Sequence, residues 1–191
     1  MAGDWLADRR VEVAADRILD AAEKLFATHD AATVGMNEIA RAAGCSRATL
    51  YRYFENRDAL HTAYVHREAY RVFGGLGERL DASAPPAQRL IDGIVQSLRL
   101  VRGSPALSSW FAPQQRPIGG EMAERSEVIR GLTEAYLRAL GMDNVETLAR
   151  WLVRVMISLL VFPGRDDADE RAMLEEFALP LHTQRGVNAR G

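Results

Sequence analysis

Arginines and aromatic rings are interleaved along one short stretch of the chain. Residues 44–60 read GCSRATLYRYFENRDAL. The stretch holds three arginines and three aromatic residues, namely Arg47, Arg52, Arg57, Tyr51, Tyr53 and Phe54. Guanidinium groups bind phosphates and the edge of guanine, and tyrosine and threonine hydroxyls donate to phosphate oxygens. These residue types therefore favour binding to a nucleic-acid groove, although two partly buried tyrosines on an ordinary helix would give a similar pattern.

Positive charge is concentrated in the same region. Residues 41–57 contain four arginines against one acid, Glu55, whereas the whole chain carries a net charge of −2. A charged run is often only a solvated face, so the charge supports a nucleic-acid partner without requiring one.

Residues suited to catalysis or metal binding are sparse. His61 and His66 are five positions apart, so they do not share a helix face as a metal-binding pair at i and i+4 would. The glycines of residues 74–77 follow no predicted strand, which argues against a phosphate loop. No nucleophile has a matched base. We expect no enzymatic activity, no metal site and no cofactor.

Composition sets the class of protein. The 191 residues are 48% hydrophobic, which is typical of a globular chain with one or two cores. One cysteine, Cys45, allows no intrachain disulfide and favours a reducing, cytoplasmic setting. The longest apolar run, residues 155–163, is far shorter than the roughly 20 residues of a membrane span, and the first residues lack the apolar core of a signal peptide. We expect no membrane partner.

Apolar residues recur at helical spacing throughout, and no segment alternates with a period of two. This pattern predicts an all-α protein of about nine helices. The first spans about 11–28, a short second one surrounds Met36 and Ala43, and a third follows Ser46. The others span about 57–73, 86–101, a short segment between Pro105 and Pro113, 121–140, 145–162 and 167–179.

The second and third helices have the spacing of a helix-turn-helix over about residues 35–54. Gly44 suits the left-handed position after the second helix, and Ser46 suits the cap of the third. Leu50 and Phe54 would dock the third helix inward. The opposite side and its flanks would then carry the residues predicted to face DNA, namely Arg47, Ala48, Thr49, Tyr51, Arg52 and Tyr53.

The run from Leu25-Phe26 through MNEIARAAGCS to RATLYRYFENRDAL resembles the N-terminal domain of the TetR family of transcriptional repressors. The resemblance covers about residues 12–72. It implies a DNA-binding domain there and a helical ligand-binding and dimerisation domain over about 73–185. It also implies DNA contacts in or beside the groove by Arg47, Thr49 and Tyr51, and phosphate contacts by Tyr53 and Arg57. The full predicted DNA-binding set adds four residues: Thr33, Ser46, Ala48 and Arg52.

Three positions depart from the family pattern. Gly35 stands where a serine or threonine often caps the second helix, and glycine has no hydroxyl to offer a phosphate. The phosphate contact is therefore assigned to Thr33, two residues earlier. Cys45 replaces an aliphatic residue and should pack as a small hydrophobe, with redox sensing as the less favoured alternative. Asp30 stands where glycine is common and should serve the same turn.

The predicted helix over 145–162 is apolar on more than one face, which requires cover on more than one side. A partner subunit would provide it, as the resemblance implies; a central helix of a monomer is the alternative. The predicted dimer interface comprises Trp151, Val155, Leu159, Met173 and Phe177. The residues predicted to line an effector cavity are His66, Tyr70, Trp110, Phe111, Met122, Tyr136, Trp151 and Met156, with the segment carrying Trp110 as a mobile gate.

The function predicted from these observations is that of a ligand-responsive repressor. It would bind a palindromic double-stranded operator as a homodimer, and a small, mostly apolar effector would release it. Two alternatives stay open at this point: a regulator without an effector or an activator, and an α-helical enzyme or carrier with a vestigial helix-turn-helix.

Overall fold

The computed structural model describes the backbone of residues 5–112 and 118–178 and the side chains of residues 11–76, 79–112 and 118–178. All regular structure in these ranges is helical. The ten helices are α1 Trp5–Phe26, α2 Met36–Ala42, α3 Arg47–Tyr53, α4 Arg57–Arg79, α5 Pro86–Gly103, α6 Pro105–Ser108, α7 Ile118–Arg125, α8 Glu127–Ala139, α9 Val145–Val161 and α10 Asp167–Ala178.

The turn between α2 and α3 is fixed by backbone hydrogen bonds around a glycine. Gly44 has a φ of 69°. Its N–H donates to the carbonyl of Arg41 at 3.1 Å, and the N–H of Cys45 donates to the carbonyl of Ala40 at 3.0 Å. These two bonds form a Schellman motif, which favours glycine at the left-handed position. The predicted role of Gly44 is confirmed.

Four helices differ from the predicted bounds. The first begins at Trp5, well before its predicted start near Val11, and ends at Phe26. The fourth continues through three glycines to Arg79 because Leu76, near its end, is buried, and packing outweighs propensity there. The helix predicted over 121–140 is two helices, since Ser126 has extended φ and ψ and its hydroxyl accepts the N–H of Ile129 at 3.2 Å. The short helix α6 ends at Ser108, before Trp110.

Two hydrophobic cores hold the helices together. The first core joins α1, α2, α3, the first half of α4 and the α6 region, with Phe26, Ile39, Leu50 and Trp110 almost fully buried. The second core joins α5, α8, α9 and α10 around residues such as Leu137. Helix α4 packs against α1 on one side and against α5 and α8 on the other, so it physically connects the two parts of the chain.

A bidentate salt bridge connects α5 to the start of α10, and the same arginine also bonds the end of α9. Both terminal nitrogens of Arg102 donate to the carboxylate of Glu170, at 2.8 and 2.7 Å. Arg102 also donates to the carbonyl of Leu159 at 2.8 Å, and Glu170 accepts the N–H of Gly164 at 2.9 Å. The hydrogen bond from Arg102 is the main cause that lowers the pKa of the Glu170 carboxyl; burial acts in the opposite direction but is outweighed.

Across the residues that the structure describes, no helix combines the length and the apolar character needed to cross a membrane. Nor do three or more His, Cys, Asp or Glu side chains in those ranges gather as a metal ion would require.

Candidate nucleic-acid interface and apolar cavity

Ser46 caps the N-terminus of helix α3. The Ser46 hydroxyl accepts the N–H of Thr49 at 3.0 Å and lies 2.8 Å from the Thr49 hydroxyl. Leu50 is fully buried beneath the helix, whereas Arg47, Ala48, Tyr51 and Arg52 are exposed along its outer side. The same seven-residue helix thus has one apolar face and one face of arginine and tyrosine.

Arginines stack on tyrosines along this outer face. The guanidinium carbon of Arg47 lies 5.4 Å from the centre of the Tyr51 ring, and that of Arg52 lies 5.4 Å from the centre of the Tyr53 ring. Stacking of this kind stabilises an exposed pair by about 0.5–1 kcal/mol and leaves the donors at the edge of the guanidinium plane available. The face is therefore partly ordered before any ligand binds.

Thr33 lies in the turn between α1 and α2, and the side chain of Arg57, the first residue of α4, reaches the same turn. The Thr33 hydroxyl donates to the carbonyl of Asp30 at 2.9 Å, and Arg57 donates to the carbonyl of Ala32 at 2.9 Å. The Asp30 carboxylate accepts the N–H of Ala32 at 2.8 Å, so this aspartate closes the turn as expected. At the start of α2, Gly35 supplies no side chain, and Glu38 instead accepts the Gly35 N–H at 2.8 Å.

A cavity of about 130 Å³ lies among α4, α5, α7, α8 and α9. Of the residues predicted to line it, Trp110, Phe111 and Met156 do so. His66 and Met122 instead line a neighbouring polar cleft of about 740 Å³ on the other side of α7.

The remaining three predicted lining residues lie outside both spaces. Tyr70 is 59% exposed. Tyr136 donates its hydroxyl proton to the carbonyl of Arg89 at 2.7 Å. Trp151 is exposed on α9. Helical spacing places apolar residues on one face of each helix, but it does not determine which of them line the cavity.

Most residues that line the cavity were not predicted, and Glu68 is the charged one among them. It lines the cavity and is buried, on a side otherwise formed by Val65, Ala69 and Val72. Positions 65, 68, 69 and 72 follow one helical stripe, so a single acid within an apolar stripe was the available signal.

An ion cluster, defined here as Asp20, Glu23, Arg67, Glu68 and Arg71, joins this acid to α1. Arg67 donates to Asp20 and to Glu23, both at 2.8 Å, and to Glu68 at 3.2 Å. Arg71 donates to Glu68 at 2.7 Å and to Glu23 at 3.1 Å. Burial raises the pKa of Glu68, and the positive charge of Arg71 opposes that rise. The cluster connects the wall of the cavity with the first helix of the helix-turn-helix region.

An aromatic cluster lies beside the cavity, between α1, α4 and the end of α6. The ring of Trp110 packs edge-on against Phe26 and His61, at centroid distances of 5.2 and 4.9 Å, and stacks on Tyr64 at 5.5 Å. Trp110 is only 1% exposed, so it is an anchor of the first core rather than the predicted gate.

Burial in this cluster lowers the pKa of His61 to about 4, with the charge of Arg57 as a secondary cause, and raises that of Tyr64. The Nε2 of His61, the hydroxyl of Tyr64 and the Nε1 of Trp110 are buried without a hydrogen-bond partner among the described residues.

Apolar side chains are exposed on α9 and α10. Trp151, Met173 and Phe177 of the predicted interface are exposed, and so is Phe162 at the end of α9, which the prediction omitted. Val155 and Leu159 are half-buried and pack against the second core.

Comparison with known proteins identifies relatives among bacterial transcriptional regulators. The family model described as bacterial regulatory proteins, tetR family, matches residues 18–64. The HTH-type transcriptional regulator Rv1255c of Mycobacterium tuberculosis is 58% identical over 194 residues, covering all of this chain and 96% of that protein. The regulator AlkX of the same organism is 28% identical over 185 residues, covering 90% of this chain and 86% of AlkX.

A TetR transcriptional regulator from Rhodococcus sp. RHA1 superimposes with a TM-score of 0.68 at 22% identity, over 95% of this chain and 99% of that one. The shared fold confirms the predicted all-α architecture with an N-terminal helix-turn-helix. The chain belongs to the TetR family of bacterial transcriptional regulators, which are DNA-binding proteins and not enzymes.

Proposed function

We propose that this regulator is a ligand-responsive repressor that binds a palindromic operator as a homodimer in the cytoplasm. The observation that carries the proposal is the outer face of α3. There Arg47 and Tyr51 stack on the solvent-exposed side, while Leu50 is buried on the opposite side and packs the helix into the first core. An α-helix fits the major groove of B-DNA, and its exposed arginines and tyrosines then meet bases and phosphates. The proposed division of labour is DNA binding by residues 12–72 and ligand binding and dimerisation by 73–185.

The DNA contacts in this proposal fall into two groups. Arg47, Ala48, Tyr51 and Arg52 face the base edges, since all four are exposed on one side of α3. The others contact or approach phosphates at the borders of the groove: Thr33, Thr49, Tyr53 and Arg57. Ser46 contributes by holding the first turn of α3 through the N–H of Thr49.

The test is binding of the full chain to duplexes selected from genomic DNA, measured by fluorescence anisotropy at physiological salt. Arg47→Ala and Tyr51→Ala should each weaken binding to the selected site by about 1–3 kcal/mol and relax sequence preference. Arg57→Ala should weaken all sequences alike and flatten the salt dependence. Arg138→Ala, which removes an exposed arginine of α8, is the matched control. Equal affinity of the native chain for selected and random duplexes would exclude the repressor.

The proposed dimer forms through α9 and α10. Its support is the exposure of large apolar side chains on these helices, with Phe177 exposed by 68%. Burial of such groups drives association of subunits. Phe177→Glu should convert a dimer into a monomer in sedimentation experiments and weaken operator binding, whereas Tyr70→Glu, at a similarly exposed aromatic residue on α4, should change neither. A native chain that sediments as a monomer at micromolar concentration would remove this interface.

The proposed effector is small and mostly apolar, and it occupies the cavity of about 130 Å³. Operator binding by a dimer requires two recognition helices about 34 Å apart, and an effector that favours a different spacing releases the DNA. The linkage is reciprocal, so operator DNA must weaken effector binding by the same factor. Titration of a binding compound with and without operator tests this. A compound whose affinity is unchanged by operator DNA would not be an effector that releases the DNA.

A further inference from the structure

The cavity has one ionisable group among its described lining residues, and that group is Glu68. The other polar side-chain groups of the lining are the indole N–H of Trp110, which has no hydrogen-bond partner among the described residues, and the hydroxyls of Ser97 and Thr133, which both donate within their own helices. The hydroxyl of Ser97 donates to the carbonyl of Gly93 at 2.8 Å, and that of Thr133 donates to the carbonyl of Ile129 at 2.8 Å. A ligand in the cavity therefore meets hydrocarbon on almost every side and a carboxylate at one place.

The charges around Glu68 do not balance. The ion cluster contains three carboxylates and two guanidinium groups. Both arginines bind the same oxygen of Glu68, Oε1, and no hydrogen bond to Oε2 is found among the described side chains. The cluster as a whole carries one excess negative charge, and Glu68 is its most buried carboxylate, with a side-chain exposure of 9% against 54% for Asp20 and 33% for Glu23. Beside the apolar cavity, Coulomb interactions of Glu68 are less screened than in water.

We propose that the effector is a hydrophobic monocation, an amine whose apolar body fills the cavity and whose ammonium group binds Glu68. This inference rests on the proposed function and specifies its ligand. An ammonium supplies the missing positive charge and donates to Oε2, which forms a charge-assisted hydrogen bond. A carboxylic acid of the same size brings a second negative charge to the carboxylate, and a neutral molecule leaves the excess charge uncompensated.

The volume of the cavity limits the size of the body. An apolar cavity of about 150 Å³ accommodates benzene, and the volume here is about 130 Å³. This volume limits the apolar body to about one six-membered ring or a chain of about six carbons. A sterol or a long acyl chain requires the surrounding helices to move apart.

The position of Glu68 also gives the ligand a direct connection to the DNA-binding region. The two arginines that hold Glu68 are the ones that bind Asp20 and Glu23 of α1. An ammonium that draws the Glu68 carboxylate toward the cavity competes with these arginines for it. The contacts between α4 and α1 then change without any ligand atom touching α1.

The experiment is isothermal titration calorimetry of the full chain at pH 7 with two sets of matched compounds. One set is benzylamine, benzyl alcohol and benzoate, and the other is hexylamine, hexanol and hexanoate. Each amine should bind about 10-fold or more tightly than its alcohol, the factor expected for a hydrogen bond to a charged group, and each acid should bind weakest. Glu68→Gln should reduce amine affinity to that of the alcohol and leave alcohol affinity unchanged. Glu121→Gln, which removes a carboxylate from the neighbouring polar cleft, should preserve the amine preference.

The inference is overturned if an alcohol or an acid binds as tightly as its amine, or if Glu68→Gln retains the amine preference. The comparison within each set uses the native chain, so it decides the question even if Glu68→Gln fails to fold. Operator binding is measured on the same preparation. Release of the operator by a neutral or acidic compound would overturn the cationic ligand and leave the ligand-responsive repressor intact, whereas absence of specific DNA binding would refute the repressor itself.

Discussion

The buried histidine of the aromatic cluster should make the protein less stable in mild acid. His61 has a pKa of about 4 in the folded chain and about 6.5 when unfolded. Above pH 6.5 the ring is neutral in both states and imposes no penalty. As the pH falls from 6.5 to 4, the unfolded chain takes up a proton that the folded chain does not, so the free energy of unfolding decreases.

The size of this effect follows from the difference in pKa. One pKa unit corresponds to about 1.4 kcal/mol, so the loss attributable to His61 reaches about 3 kcal/mol at pH 4. The ring is only 3% exposed, so solvent screening does not reduce this figure much. A loss of this size is a substantial part of the 5–15 kcal/mol that is typical of a folded domain.

The assay is urea denaturation of the native chain and of His61→Phe, which keeps an aromatic ring beside Phe26 and Trp110 without a titrating nitrogen. Carboxylates take up protons alike in both proteins over this pH range, so they cancel when the two free energies of unfolding are subtracted. The difference should shift by about 3 kcal/mol in favour of the variant between pH 7 and pH 4. NMR titration of the His61 ring protons gives the midpoint directly. A difference that stays constant over this range, or a midpoint near 6.5, would refute the reasoning.

Two further predictions concern the second half of the chain. Glu170→Gln should lower the free energy of unfolding by about 3 kcal/mol in urea denaturation, because it leaves Arg102 without its buried partner. Asp167→Asn, the control in an exposed ion pair between the same two helices, should lower it by less than about 1 kcal/mol. Equal effects of the two substitutions would contradict the role of burial. Gly93→Ala should lower the melting temperature and reduce the free energy of unfolding by about 1–3 kcal/mol, because the added methyl group would occupy the space of the Tyr136 hydroxyl on α8. Gly103→Ala, the control in the same helix, adds its methyl group in open space and should not destabilise the fold. An unchanged stability of Gly93→Ala would show that the Tyr136 side chain moves aside freely.

The helix-turn-helix was predictable from sequence because its signals are local. Gly44 and Ser46 fix a turn and a cap through backbone bonds within five residues, and Leu50 follows at helical spacing. The break at Ser126 was equally local, and it was overlooked because the apolar pattern runs across it. The extension of α4 through its glycines was not local, since it depends on the burial of Leu76.

The cavity was harder to predict than the helices. Which apolar side chains face an interior space depends on the angles between α4, α5, α8 and α9, and spacing along one helix does not determine those angles. Trp110 looked like part of a mobile segment because prolines flank it, yet three rings hold it in the first core. Glu68 was the exception that the sequence could have revealed, because an acid within an apolar stripe needs partners.

The position of Trp110 makes it a built-in optical reporter. Its ring contacts Phe26 of α1 on one side and lines the cavity on the other, so its emission reflects both spaces at once. The chain has three tryptophans, and replacing Trp5 and Trp151 by phenylalanine would leave this one as the only indole fluorophore. A protonated imidazole quenches indole emission by contact, and the His61 ring centroid is 4.9 Å away. Acidification and cavity filling would therefore give separable signals, a change in intensity for the first and a shift in emission wavelength for the second, without any attached dye.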